Sequence, residues 1–311
     1  MKTRRYILLV LTMVVAGCTQ KGEPVRICRF EQLLFEGKGD AADFASPLLN
    51  YHPEDAEFMH AVADFTSDPM VRQLYTVTDS LYGDLSWLEE ELGNAMSRAH
   101  ECLPAMNYRF FFTLVTADLE DYANRVFCNN TDLAISIDHY AIGHVEGLQR
   151  YGVPNYIARL CRREYILPDC MAAAARNHIE LPEGDLTFLD YAIAEGKTLY
   201  FLDQVLPHVH DTLKIRYTGK QLAWMEENEE NVWGWLIQNG VLFSNDNTQL
   251  RNLLDEAPKT NAFGDGSAPR TGDYIGWQIV KQYMKKTDAS MGELFAENNS
   301  RKILETSGWR P

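Results

Sequence analysis

Residues 188–206 are apolar on nearly every side of the helix that their spacing predicts. A helix of this kind has no face for water, so it must be enclosed by other helices of the same chain. Further helical patterns follow at residues 219–239, 273–285 and 291–304. The first of these opens with Thr218 and Gln221 at the spacing of a capping box, and Gly240 is placed to end it. The C-terminal half is therefore predicted to be almost wholly helical.

The N-terminal half mixes strand and helix patterns. Residues 25–36 suggest a strand followed by a helical turn, and residues 55–99 recur at helical spacing. Residues 110–116 and 134–138 are typical of strands. We predict an α+β fold, predominantly helical, with a small mixed sheet in the N-terminal half. Since no repeat or low-complexity stretch divides the chain, residues 25–311 are predicted to form a single domain of one or two lobes.

The first residues have the layout of a bacterial lipoprotein signal. Lys2, Arg4 and Arg5 precede an apolar run at residues 6–16, and Ala16 and Gly17 stand directly before Cys18. We predict a signal peptide at residues 1–17, a diacylglycerol and acyl lipid on Cys18, and a flexible tether at residues 18–24. The alternative is an ordinary cleaved signal with a chance cysteine. Because no aspartate follows Cys18, an outer-membrane anchor facing the periplasm is the expected location in the cell envelope.

The net charge excludes one class of partner, and the cysteines bear on how many disulfides the chain can form. Without residues 1–17 the chain keeps 26 Lys and Arg against 44 Asp and Glu, so nucleic acid is not an expected partner. The five cysteines after Cys18 are odd in number and none forms a C-x-x-C pair. We expect most of them to be buried thiols, with room for one disulfide.

Two carboxylates interrupt apolar helix stripes. Glu195 lies in line with Tyr191 and Leu199, and Glu229 has the same position between Met225 and Val232. A buried carboxylate needs a partner, so a polar pocket between helices is expected, either as an internal ion-pair network or as a metal site. Because its loop leads into a helix of the same bundle, Arg270 is the candidate partner.

The histidines do not have the spacing of a helical zinc site. His139 and His144 are five apart, His208 and His210 two apart, and His178 stands alone after an alanine-rich segment. His208 and His210 would point the same way in an extended chain and remain a weak candidate for ligands.

With these residues in view, the chain resembles the gliding motility lipoprotein GldB family of Bacteroidetes. The resemblance rests mainly on the helix containing Glu195-Gly196-Lys197, on Asn228-Glu229 followed by Trp233, on the stretch from Pro269-Arg270-Thr271-Gly272-Asp273 to Val280, and on the closing Ser307-Gly308-Trp309-Arg310-Pro311. Pro269 meets Arg270 directly, where the family's loop usually has an intervening glycine.

The family in turn is similar to zincin-type metalloproteases, in which a glutamate on one helix completes a zinc site begun by His-Glu-x-x-His on the helix before it. By this resemblance Glu195 matches the glutamate ligand. The preceding helix has Met171 to Ala175 at the motif position and no histidine between residues 168 and 177. Since a hydrolytic zinc needs several protein ligands and a base, we expect no catalysis, no catalytic residues, no metal and no cofactor.

The sequence thus predicts a non-catalytic, lipid-anchored envelope protein with a degenerate zincin-like fold. The resemblance implies a binding or assembly role with the gliding motility and protein secretion apparatus, and partners that are envelope proteins or extended peptide segments. Residues 134–138 are the expected strand for adding such a segment. The alternatives are a zinc-dependent hydrolase using Glu195 with His178, or with His208 and His210, and a structural lipoprotein without a specific partner.

Overall fold

A four-stranded mixed sheet lies in the N-terminal half of the computed structural model, which describes residues 21–44, 46–118, 124–144 and 153–311. Its strands are β1 (Ile27–Arg29), β2 (Phe110–Leu114), β3 (Val126–Cys128) and β4 (Asp132–Ser136). Their order is β1-β2-β4-β3: β2 runs parallel to both β1 and β4, and β3 is antiparallel to β4. The expected small mixed sheet is confirmed, but the sequence did not predict β3, which is only three residues long.

Helices make up most of the remaining described chain. Those of the N-terminal half are α1 (Phe30–Glu36), α2 (Ala56–Ser67), α3 (Pro69–Tyr82) and α4 (Ser86–Cys102). They are followed by α5 (Asn155–Ala158), α6 (Ile166–Arg176), α7 (Phe188–Val205), α8 (Asp211–Lys214), α9 (Gly219–Gln238), α10 (Asn247–Leu254), α11 (Thr271–Thr287), α12 (Met291–Ala296) and α13 (Ser300–Ser307). The α+β class is confirmed. The single helix predicted at 291–304 is wrong, because the chain leaves the helix after Ala296 and Asn299 caps a new one by accepting a hydrogen bond from Lys302 N.

Helix α7 lies at the centre of the helical half. Its residues Phe188, Ala192 and Phe201 are fully buried, as expected for a helix that is apolar on most sides. The capping box predicted at the start of α9 is present, since the Thr218 hydroxyl accepts from Gln221 N while the Gln221 side chain accepts from Thr218 N. Gly240 follows in the left-handed conformation that ends the helix.

Two glycines let α7 and α11 approach until their backbones touch. A Cβ atom added to Gly276 would lie 1.7 Å from the carbonyl oxygen of Ala192, and one added to Gly196 would lie 2.3 Å from the carbonyl carbon of Gly276. Neither neighbour is a flexible side chain that could swing away. Any larger residue at this crossing must therefore separate the two central helices.

Strand β4 is an interior strand. It is paired with β2 along one side and with β3 along the other. The prediction that residues 134–138 accept an added peptide strand is therefore wrong, because residues 134–136 are paired on both sides and residues 137 and 138 lie in a 3-10 helix, Ile137–His144. Among the described strands, β3 forms one edge of the sheet and β1 the other. Ser136 N donates to Arg125 O, and Asn129 N donates to Asp132 O, so the alternation of an antiparallel pair turns the backbone groups of Val126 and Cys128 outward.

The segment leading from the predicted lipid anchor docks on helix α4. The backbone N–H of Gly22 donates to Asn94 Oδ1 over 2.9 Å, and that of Val25 donates to Glu89 O over 3.0 Å. A Cβ atom on Gly93 would lie 2.0 Å from Glu23 O. Residues 22–24, which were predicted as part of a flexible tether, are thus held against the domain. Residues 1–20, with the predicted signal peptide and Cys18, lie outside the described chain, and no described helix is long and apolar enough to cross a membrane.

Lys197 on α7 is a buried cation whose ammonium group donates a hydrogen bond to a neutral carbonyl. It is 2% exposed, and Nζ donates to Glu297 O over 2.7 Å. Burial lowers the pKa of Lys197 to about 8, despite the opposite charges of Glu297 and Glu180. The folded protein therefore binds fewer protons here than the unfolded chain between about pH 8 and the ordinary lysine value of 10.5.

We expect this lysine to make stability rise with pH. Where the unfolded state binds more protons, the free energy of unfolding increases as pH increases. The difference in that free energy between the wild type and Lys197→Met should rise by about 3 kcal/mol from pH 7 to pH 10.5, as measured by denaturant unfolding at a series of pH values. Titrating tyrosines and cysteines contribute equally to both proteins and cancel. A difference that stays flat would show that the Lys197 ammonium is not penalised in the folded state.

Candidate functional site

A cavity of about 680 Å³ opens where helices α5, α6, α7, α10 and the start of α11 meet. Its volume lies in the range of small-molecule and peptide pockets. Its lining combines apolar side chains with an unusual concentration of charge, namely five arginines (Arg125, Arg176, Arg216, Arg251, Arg270) and four acids (Glu195, Asp255, Glu256, Asp273). None of the described residues that line it is a histidine.

Arg176 at the end of α6 holds the carboxylate of Glu195 on α7. Arg176 Nε donates to Glu195 Oε1 over 2.7 Å, and Nη2 donates to Oε2 over 2.8 Å. This is the two-bond geometry in which a planar guanidinium matches a carboxylate. Burial alone would raise the pKa of Glu195, but Arg176 and then Arg270 lower it to about 2. Glu195 therefore stays ionised with both oxygens engaged.

Arg270 joins three carboxylates at the base of the cavity. Its Nη1 lies 3.2 Å from Glu256 Oε1, and its Nη2 lies 2.5 Å from Asp273 Oδ2 and 3.7 Å from Glu195 Oε2. Nη1 also donates to the carbonyl oxygen of Ile215 over 3.2 Å. With only 6% of its side chain exposed, Arg270 is the central cation of the group.

The backbone of this arginine is strained. Arg270 has φ 48° and Arg216 has φ 63°, the left-handed region that a residue with a Cβ adopts at a cost of about 1 kcal/mol or more. Tyr217 donates its hydroxyl to the carbonyl oxygen of Arg270 over 3.1 Å, which fixes the loop. Both arginines make ion pairs with carboxylates at this cavity. We infer that these ion pairs stabilise the strained backbone at the two positions.

The cluster continues toward the sheet through a second set of ion pairs. Arg216 links Glu256, at 3.4 Å, to Asp169 on α6, at 2.7 Å. Asp169 also lies 3.1 Å from Arg125 and accepts a hydrogen bond of 2.8 Å from the Tyr140 hydroxyl. Although burial acts to raise it, the pKa of Asp169 is lowered by Arg125 and Arg216. Within the described chain, four arginines and four carboxylates thus form one connected group.

A second cavity of about 510 Å³ lies on the other side of the same arginines. Arg125, Arg176 and Arg216 line both cavities, and strand β3 forms a wall of the second. The outward backbone groups of β3 therefore lie beside a cavity that shares three arginines with the first one.

The predicted site residues are only partly brought together. Arg270 is 3.7 Å from Glu195. Glu229 is half-buried on α9, is not among the residues lining the cavity, and has its pKa raised by burial and by Glu226. The expectation of a shared pocket for the two acids is wrong, because α9, which carries Glu229, contributes none of the residues that line the cavity.

The candidate histidines lie elsewhere. The ring of His178 packs edge-on against Tyr108, with centroids 6.1 Å apart. His210 Nδ1 accepts from Thr212 N and so caps the short helix α8. Within the ranges that the structure describes, no group of three or more His, Cys, Asp or Glu side chains is arranged to hold a metal ion. The five described cysteines are free thiols.

The sequence reasoning missed most of the cluster. Arg176 was visible as a charged end to the alanine-rich helix, and Asp169 as an acid inside the apolar run that starts at Ile166. Asp273 stood next to the singled-out Arg270. Arg125, Arg216 and Glu256 gave no signal, since they reach the site from loops.

Comparison with known proteins places the chain in a family. A family model described as gliding motility protein GldB matches residues 20–311. The chain belongs to the GldB family. It is therefore a gliding motility-related lipoprotein of the cell envelope, and the resemblance seen in the sequence is confirmed. Neither the curated proteins nor the solved structures gave a match.

Proposed function

We propose that this GldB-family chain is a non-catalytic binding or assembly component of the gliding motility and protein secretion apparatus. The observation that supports it best is the two-bond pairing of Arg176 with Glu195. By the zincin resemblance, Glu195 stands where a metalloprotease has its glutamate ligand. Here a guanidinium takes up both oxygens of that carboxylate, so an arginine cation replaces the metal cation.

The rest of the donor set argues against a zinc ion. The helix that would carry the histidines presents Met171, Ala174 and Ala175, each with no exposed surface. Thioether and methyl groups at these positions offer no ligands of the kind that zinc prefers. A scaffold with these residues can hold a partner but offers no ligands for a zinc ion that would activate water.

The proposed lipid anchor determines which face of the domain lies near the membrane. We place the lipid on Cys18, in an outer membrane, with the domain in the periplasm. Because Gly22 is already bound to Asn94 on α4, the stretch between Cys18 and the domain reaches at most about 14 Å when fully extended. The face around Gly93 therefore lies close to the lipid headgroups.

The proposed partner is an extended segment of an envelope or secreted protein that adds to the free edge of β3. The outward backbone groups of Val126 and Cys128 supply strand pairing, and the adjoining cavities supply pockets for side chains. Arg125 and Arg176, which line the second cavity beside this edge, are already ion-paired with Asp169 and Glu195. We therefore expect strand pairing and the filling of pockets, rather than charge, to hold the segment.

Photo-crosslinking in the native envelope tests this role. A photoreactive residue in place of Phe127, which is 37% exposed on β3, should capture a recurrent protein partner. The matched control is Leu181, which is 46% exposed between α6 and α7. The proposal fails if Phe127 captures nothing, or if both positions capture the same proteins.

A further inference from the structure

Asp273 is a buried carboxylate whose two oxygens accept no hydrogen bond from the described residues. It is 1% exposed and lies in the first turn of α11. Its Oδ2 is 2.5 Å from Arg270 Nη2, but the two groups form an ion pair without the angles of a hydrogen bond. Arg270 offsets part of the cost of burying this charge, but Oδ1 has no partner among the described residues, so the position of the carboxylate calls for a physical reason.

The neighbouring cations cannot supply the missing donors. Arg176 spends two of its N–H groups on Glu195. Arg270 is divided among Asp273 Oδ2, Glu195, Glu256 and the carbonyl oxygen of Ile215, and it leaves Asp273 Oδ1 without a donor. The negative charge of Glu195 adds to burial in raising the pKa of Asp273 above that of an ordinary aspartate, despite the opposing effect of Arg270. The surroundings of Asp273 would therefore be stabilised by a further cation with N–H donors.

The cavity gives such a cation a route and an apolar surface beside it. Asp273 lines the 680 Å³ cavity, whose other lining residues include five apolar or aromatic side chains: Tyr156, Ile157, Leu160, Leu250 and Leu254. The volume can take a few residues of peptide. A ligand that fits has a compact, donor-rich cationic head next to an apolar body.

We infer that the cavity binds the free amino terminus of a peptide segment, with its ammonium group on Asp273 and its first side chain against the apolar wall. An ammonium carries three donors and no acceptor, which matches Asp273 Oδ1, an oxygen without a partner among the described residues. An ammonium is a compact point charge, whereas a guanidinium is a larger planar group. This inference rests on the proposed peptide-binding function and adds the part of the peptide that is recognised.

Binding of three synthetic peptides to the full-length lipoprotein in detergent, measured by calorimetry, tests the inference. The first is a tetrapeptide amide that begins with leucine and has a free amino terminus. The second is its N-acetylated form, and the third is an N-acetylated peptide whose single amine is a lysine side chain. We expect acetylation to weaken binding at least tenfold. Recovery of affinity by the third peptide would assign the ammonium to a lysine rather than to a chain terminus.

Two variants test whether Asp273 is the residue that binds the amino group of the peptide. Asp273→Asn removes the charge and should bring the free and acetylated peptides to within about twofold of each other. Asp185→Asn, an exposed aspartate outside the cavity, should keep the tenfold difference. If the wild type binds both peptides equally, the inference is overturned while peptide binding stands. If the wild type binds none of the three, this inference fails, and the photo-crosslinking result at Phe127 decides separately whether the proposed function survives.

Discussion

Replacing Gly276 by alanine is expected to destabilise the protein by about 3 kcal/mol or more, because the added methyl group would enter the backbone of α7. The new Cβ would be 1.7 Å from the carbonyl oxygen of Ala192, a distance that no rotamer change can relieve. The helices α7 and α11 must move apart, which loosens the packing of buried residues such as Ile275 and Leu199. Chemical denaturation followed by circular dichroism measures the loss.

The matched control is Gly234→Ala on α9, where an added Cβ meets nothing within 4 Å. Since alanine is a better helix former than glycine, this variant should gain up to about 1 kcal/mol. Both substitutions replace glycine by alanine. Opposite signs of their effects on the free energy of unfolding would therefore be due to the close crossing of α7 and α11. Equal effects at the two positions would contradict the close approach of α7 and α11.

Replacing Arg270 by methionine is expected to cost about 3 to 5 kcal/mol, because three carboxylates lose a shared buried cation. Glu195, Glu256 and Asp273 all lie within 4 Å of its guanidinium. Methionine keeps an unbranched apolar stem but has no guanidinium, so the change removes the cation together with its hydrogen bond to Ile215 O. The free energy of unfolding from denaturant titration at neutral pH gives the value.

Two further variants make this result specific. Arg251→Met removes an exposed arginine of the same cavity and should change stability by less than about 0.5 kcal/mol. Adding Asp273→Asn to Arg270→Met should recover part of the loss, since one unpaired negative charge disappears. A double variant that is simply the sum of the two single losses would mean that Arg270 and Asp273 are not coupled.

The sequence predicted the helices of the C-terminal half well where the apolar periodicity extends over several turns. Residues 188–206 carry five turns of apolar pattern, and the structure has α7 at Phe188–Val205. Short elements contain too few residues to show a periodic pattern in the sequence. Strand β3, for example, has three residues, whose extended conformation depends on pairing with β4. The break between α12 and α13 was missed although residues 297–302 are all polar, because Phe295 and Ile303 are spaced as on one continuous helix and Asn299 was not recognised as a cap.

The cluster could be predicted only in outline. An acid on an apolar stripe indicated that Glu195 needs a partner, yet the partner with the closest contact, Arg176, lies 19 positions earlier on another helix. Helical spacing says nothing about which side chains of two packed helices meet. Glu229 had the same sequence pattern as Glu195 but lies in a half-buried environment outside the cavity, because pattern alone does not fix how deep a stripe is buried.

The most direct test is the zinc content of the native lipoprotein, purified without added metal and measured again after incubation with excess zinc and removal of the unbound ion. Because Arg176 already engages both oxygens of Glu195, the account predicts far less than one zinc per chain in both samples, with a thermal unfolding midpoint that does not change on chelation. Stoichiometric zinc that disappears in Glu195→Ala would contradict it, and would establish a metal site where we place an ion pair.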